Sequence, residues 1–220
     1  MRTRLNVLIL AGMLLPVFSA QAQGPLPEIS PEAVVNTATA GNQTAPAVAA
    51  SASGSVWIAW IDRTDAPAGI KARHFDASGS PLSPEIRIRV LGFPNALSAG
   101  PAIAATAGGG FVVAWAETPN VWFRRFDADG APLGDEQRIA PSMSFETITF
   151  PGVAMAADGS FVVSWLQSDL LNDVVQVQRF DPQGTSLGAF QAVATGSRNS
   201  LSSPRLAGAP DGGFLVVWQD

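Results

Sequence analysis

The sequence predicts an all-β chain built as a tandem array of four-stranded antiparallel units, and three regularities carry that expectation. Four prolines, Pro46, Pro101, Pro151 and Pro204, are each followed 14 residues later by a tryptophan: Trp60, Trp115, Trp165 and Trp218. Six residues before each tryptophan stands a glycine: Gly54, Gly109, Gly159 and Gly212. Beyond the tryptophan, Phe75-Asp76, Phe126-Asp127 and Phe180-Asp181 each lead, three residues past the aspartate, to Gly79, Gly130 and Gly184, then three residues on to Leu82, Leu133 and Leu187. The copies are offset by 55, 50 and 53 residues. Constant spacing inside a unit with variable spacing between units marks a structural repeat whose loops differ in length.

Each unit reads as four short strands joined as a meander. The first, Pro46 to Ala50 and its equivalents, is rich in small residues and suits a crowded innermost position. The second, Val56 to Trp60, Phe111 to Trp115, Phe161 to Trp165 and Phe214 to Trp218, is almost wholly apolar. Such a strand must be covered on both faces, as when sheets stack side by side around an axis. The third alternates, with Val121, Phe123 and Arg125 on one side and Trp122, Arg124 and Phe126 on the other. The fourth, Glu85 to Val90, places Arg87 and Arg89 opposite Ile86, Ile88 and Val90. Asp158-Gly159 and Asp211-Gly212 are tight-turn signals between the first two strands, and the Asp-x-x-Gly block turns the third into the fourth.

Four meandering strands per repeat match the blade of a β-propeller better than a solenoid coil, which is shorter, or a sandwich, which does not repeat. The expected blades cover roughly residues 44–97, 98–147 and 148–200, with a partial one at 201–220. Gly24 to Ile29 resembles Ser80 to Ile86, so the N-terminal side is expected to supply a further outer strand. The expected fold is thus an incomplete propeller of three full blades plus partial ones. Its edge at Phe214 to Trp218 is left unpaired, and the natural protein is expected to continue past Asp220.

Residues 1–22 have the three parts of a secretory signal peptide: Arg2 and Arg4, an apolar stretch from Leu5 to Phe18, and the small-residue site Ala20-Gln21-Ala22. The stretch is shorter than the roughly 20 residues that span a bilayer. The expected location is therefore secreted or periplasmic, with no membrane insertion after cleavage and a repeat domain over 23–220. The absence of cysteine means that an exported chain must hold together by burial and strand pairing alone. After cleavage 11 basic side chains stand against 18 acidic ones, a net charge of about −7, with the basic residues dispersed. Nucleic acid and anionic membrane surfaces are poor partners for such a chain.

The blocks Gly109 to Trp115 and Arg124 to Gly130 resemble the propeller-like tandem repeats of large secreted bacterial proteins. The resemblance spans about 175 residues. It implies an exterior location and a scaffold or binding role, and it names no ligand.

Catalytic chemistry is sparse. The one histidine, His74, precedes Phe75 where the other copies carry Arg125 and Arg179, so it reads as a repeat-strand residue. Asp127-Ala128-Asp129-Gly130 has the carboxylate spacing of a calcium loop, but its equivalents lack the second carboxylate. A turn in which the aspartate bonds its own backbone explains all three copies, leaving Asp127 and Asp129 as weak calcium candidates. No nucleophile elbow and no phosphate-binding glycine loop occurs. Four tryptophans belong to the repeat and read as packing, whereas Trp57 and Trp122 fall outside that register and are the candidates for stacking a carbohydrate. Asn42-Gln43-Thr44 fits a glycosylation acceptor. The expected function is a non-catalytic exported module for binding, adhesion or scaffolding, with a protein or carbohydrate ligand, no cofactor, no catalytic residue and no metal site beyond those candidates. The alternative is part of a secreted glycan-acting hydrolase whose catalytic residues lie outside this chain.

Overall fold

The computed structural model describes residues 5–10, 34–38, 41–64, 67–92, 97, 99–141, 147–209 and 212–220. After strand β1 (Leu5–Leu10), the chain forms a first sheet from β2 (Gln43–Ala50), β3 (Val56–Asp62), β4 (Gly69–Phe75) and β5 (Ile86–Val90). The second sheet is β6 (Ala102–Ala105), β7 (Phe111–Glu117), β8 (Asn120–Phe126) and β9 (Gln137–Pro141). The third is β10 (Thr147–Met155), β11 (Phe161–Ser168), β12 (Asn172–Phe180) and β13 (Gln191–Ser197). All three are antiparallel meanders in sequence order, as the repeat predicts. The fourth sheet holds β14 (Ser202–Gly208) and β15 (Phe214–Gln219).

One expectation is corrected. The Phe214 to Trp218 edge is not bare, because β1 pairs antiparallel with β15, from Leu5 opposite Gln219 to Leu10 opposite Phe214. In the third sheet Phe180 stands opposite Phe161, so Leu10 occupies the register position of the repeat phenylalanine and β1 fills the slot of a third strand. An apolar run is ambiguous between leader and strand, and the free ladder of β15 offers it backbone partners. The pairing belongs to the uncleaved chain, since β1 lies within the segment read as a signal peptide. The strand expected at Gly24 to Ile29 and the cleavage site at 20–22 lie outside the described residues.

The second strands of the two middle sheets, β7 and β11, are buried on both faces because each lies between two neighbouring sheets. Trp57, Ala59 and Ile61 of the first sheet pack against Phe111, Val113 and Trp115 of the second. Val112, Ala114 and Ala116 on the other face of β7 meet Phe161, Val163 and Trp165 of the third sheet. Val162 and Leu166 then meet Phe214, Val216 and the half-buried Trp218 of the fourth. The repeat tryptophan therefore points towards the preceding sheet each time one precedes it. Trp115 and Trp165 are fully buried, and truncating such a side chain costs about 3–5 kcal/mol.

The Asp-x-x-Gly turns pack across sheet boundaries. The turn ending at Gly130 lies over Trp57 and Ile86 of the first sheet, and the turn ending at Gly184 lies over Arg125 and Gln137 of the second. A Cβ at Gly130 would stand 2.8 Å from Trp57, and one at Gly184 would stand 2.8 Å from Arg125. Both residues also hold a positive φ, of 85° and 83°. The third position after the aspartate is thus glycine for two reasons, backbone conformation and close approach.

Candidate functional site

The repeat proline builds a common feature on three of the four innermost strands, β2, β10 and β14. Between Thr44 and Ala47 the register of β2 with β3 shifts, and the same shift occurs between Thr149 and Gly152 in β10 and between Ser202 and Arg205 in β14. In each case two residues ending in the repeat proline oppose one residue of the second strand, the repeat tryptophan. Proline has no N–H to give the ladder, so a bulge is where a strand accommodates it. The residue before the proline has a positive φ in these three copies: Ala45 at 53°, Phe150 at 50° and Ser203 at 51°. A pre-proline residue is ordinarily driven to extended backbone, and a left-handed non-glycine residue stores about 1–3 kcal/mol of strain. In the second sheet the same place is Gly100, where a Cβ would stand 2.6 Å from the Cβ of Ala45.

These four segments line one cavity of about 490 Å³, which puts all four inner strands around a shared axis. Its wall is main chain and small or apolar side chains, including Phe150 and Val48, which are 36% and 66% exposed. Arg205 is the one charged residue in the wall, and its guanidinium donates to the Pro204 carbonyl at 3.0 Å. The mouth can hold a ring or an apolar side chain against proline and phenylalanine and offer hydrogen bonds from peptide groups and one guanidinium.

Carboxylates are engaged elsewhere. In the first sheet Lys71 Nζ lies 2.8 Å from Asp62 and 3.1 Å from Glu85. Burial works to raise the Asp62 carboxyl, but the Lys71 ammonium and the Thr64 N–H outweigh it and hold it below the ordinary value. Glu85 is likewise raised by burial and brought below its ordinary value by Thr37 and Lys71. In the second sheet Glu117 and Glu136 both bind Arg89, which reaches over from β5 of the first sheet. Asp173 is buried and accepts the Leu201 N–H at 3.2 Å.

The residues singled out in the sequence are dispersed. Trp57 is 1% exposed, stacked on His74 with ring centroids 4.4 Å apart and in contact with Phe111, and its indole donates to the Gly109 carbonyl. It is part of the core and leaves no face for a sugar. Trp122 is half-buried beneath the Arg89 guanidinium, 5.7 Å from its centroid. His74 is pushed below its ordinary value by burial, partly countered by Asp129, and so stays neutral at pH 7. Asp127 Oδ1 accepts the N–H groups of Asp129 and Ala131 at 3.0 and 2.8 Å. Asp76 and Asp181 make the same pair of bonds, the expected turn, and Asp129 is exposed beside it. Among the described residues no group of three or more His, Asp or Glu stands close enough to hold a metal ion, and no helix is long and apolar enough to cross a membrane. The axial mouth escaped the sequence reading, although its signal, the proline recurring opposite the tryptophan, was the repeat itself.

No protein-family model matches the chain, and no curated protein matches it. Among solved structures it is similar to an endo-arabinase from Bacteroides thetaiotaomicron VPI-5482, at 12% sequence identity and a TM-score of 0.48, over 79% of this chain and 68% of that one.

Proposed function

We propose that the chain is a β-propeller-type, exported recognition module that binds a protein or carbohydrate ligand at its axial mouth without turning it over. One observation carries this reading: four equivalent proline segments, three of them bulged with a strained residue before the proline, converge on a single cavity of about 490 Å³. Strain held at the same place in several copies is a mark of a site in use. The disposition of the carboxylates agrees with it, since Asp62, Glu85, Glu117 and Glu136 are tied to Lys71 and Arg89. The turn aspartates bind their own backbone.

The test is a screen of the full chain against immobilised glycans and peptides, followed by Phe150→Gly and Arg205→Ala on any ligand found. Phe150→Gly removes the exposed ring while relieving its backbone, so the fold should be kept and affinity should fall at least tenfold. Binding unchanged in both variants would remove the axial mouth as the site. Turnover of the bound ligand would replace this reading with that of a hydrolase.

A further inference from the structure

The four copies of the axial segment differ in the side chains that flank the proline. Before it stand Ala45, Gly100, Phe150 and Ser203, and after it Ala47, Ala102, Gly152 and Arg205. The first two sheets bring only alanine or glycine to these positions. The third brings a phenylalanine and the fourth an arginine, both exposed and both in the wall of the axial cavity. Their strands are neighbours, since a Cβ on Gly152 of β10 would stand 3.5 Å from Leu206 of β14. Packing of the inner strands asks only for small residues here, as the first two sheets show. The ring and the cation therefore answer to something other than the repeat.

Arg205 is not neutralised by the protein. Its Nη1 donates to the Pro204 carbonyl, and among the described residues no carboxylate pairs with its other edge, Nε and Nη2. No other charged residue lines the cavity. A guanidinium edge of this kind takes up a carboxylate in two parallel hydrogen bonds. One cation serves one carboxylate, and the net charge of −5 on the chain disfavours a polyanion.

The inner strands also disfavour a peptide. Each is the edge of its sheet, and an added strand would need an unbroken row of N–H and C=O groups to pair with. In β2, β10 and β14 the bulge interrupts that row and the proline withholds an N–H. A sugar needs no ladder. Its C–H face can lie on an exposed ring while peptide groups of the wall meet its hydroxyls.

We infer that the axial mouth selects an acidic sugar residue, a uronic or sialic acid within an otherwise neutral glycan. Phe150 carries the face of the ring and Arg205 binds its carboxylate. The inference rests on the proposed function, in which the mouth is the binding site, and adds the class and charge of the ligand.

The test is calorimetric titration of the full chain with two singly acidic probes, a xylo-oligosaccharide bearing one glucuronic acid and sialyllactose. Each is compared with its carboxyl methyl ester and with its neutral parent, xylotriose or lactose. At least one acid should bind, with its ester and its neutral parent weaker by about tenfold or more. Arg205→Gln should bring the acid down to the level of its ester, and Phe150→Gly should weaken acid and ester alike. Failure of both acids to bind would overturn the inference. So would equal affinity for acid and ester, or a preference for the acid that survives Arg205→Gln; in either case a loss in Phe150→Gly would still keep the mouth as the site. Binding of an acid that is indifferent to both substitutions would remove the mouth, and the proposed function with it.

Discussion

The first and third sheets carry the same strand grammar and solve one position in opposite ways. Opposite the repeat tryptophan on the third strand stands Lys71 in the first sheet, Trp122 in the second and Gln176 in the third. Two residues past the tryptophan the sequence has Asp62, Glu117 and Gln167, and ten past the closing phenylalanine it has Glu85, Glu136 and Phe190. The first sheet therefore holds two acids with its own lysine between them. The second keeps both acids, loses the lysine to tryptophan, and receives Arg89 from the first sheet in its place. At these positions the third has neither acid nor cation, and Phe190 packs edge-on against Trp165 at 5.9 Å. A pair of buried carboxylates demands a cation, and whether that cation is local or borrowed decides whether the cluster holds one sheet together or ties two.

The sharpest way to break the comparison is Lys71→Met beside Gln176→Met. Removing Lys71 leaves Asp62, whose side chain is 2% exposed, buried without its ion pair. A cost of about 3–5 kcal/mol is expected from chemical unfolding. Gln176→Met replaces a neutral group of similar size and should cost less than about 1.5 kcal/mol. Equal losses in the two variants would show that the charge in the first sheet has no special weight.

The borrowed cation is tested next. Arg89, Glu117 and Glu136 are about one-fifth to one-quarter exposed, so Arg89→Ala should cost less than Lys71→Met, on the order of 1–2 kcal/mol. A double-mutant cycle with Glu117→Gln should return a coupling of roughly 0.5 kcal/mol or more, though the two residues belong to different sheets. Additivity would mean that the ion pair does not link them. Phe190→Ala in the third sheet, at a residue 42% exposed, should cost about 1 kcal/mol, the smallest effect among the substitutions.

Much of this architecture was legible because repetition turns spacing into structure. The strands, their antiparallel order and the buried tryptophans follow from the proline, glycine and tryptophan intervals. Four features did not follow, each for a physical reason. Trp57 lies outside the repeat register yet is core, because β3 is covered on both faces and either face accepts an aromatic ring. The positive φ before the proline runs against the local preference of that dipeptide, and only convergence of four inner strands makes it visible. The ion clusters join residues from different strands and, at Arg89, from different repeats, so no local window contains them. The leader stretch reads equally as an export signal or a strand, since both need only an apolar run.

The last contrast is in acid. Asp62 and Glu85 are held below their ordinary values of 3.8 and 4.5 in the folded chain. As the pH falls, the unfolded chain takes up protons at these groups before the folded chain does. Their contribution is therefore fully present above the unfolded values and is lost as the pH drops through the folded ones. The unfolding midpoint should hold steady down to about pH 5 as far as this cluster is concerned, then decline below about pH 4.5. In Lys71→Met the burial that raises Asp62 is opposed by the Thr64 hydrogen bonds alone, so a reversal of sign is the expected outcome for this group. A carboxyl raised in the folded state favours the folded chain when protonated, and mild acid should recover part of the stability that Lys71→Met loses at neutral pH. Gln176→Met alters no titrating group and should follow the parent curve throughout. Thermal melts of the three proteins from pH 7 to pH 3 read this directly. A Lys71→Met curve parallel to the parent would show that Asp62 keeps its charge by means other than Lys71.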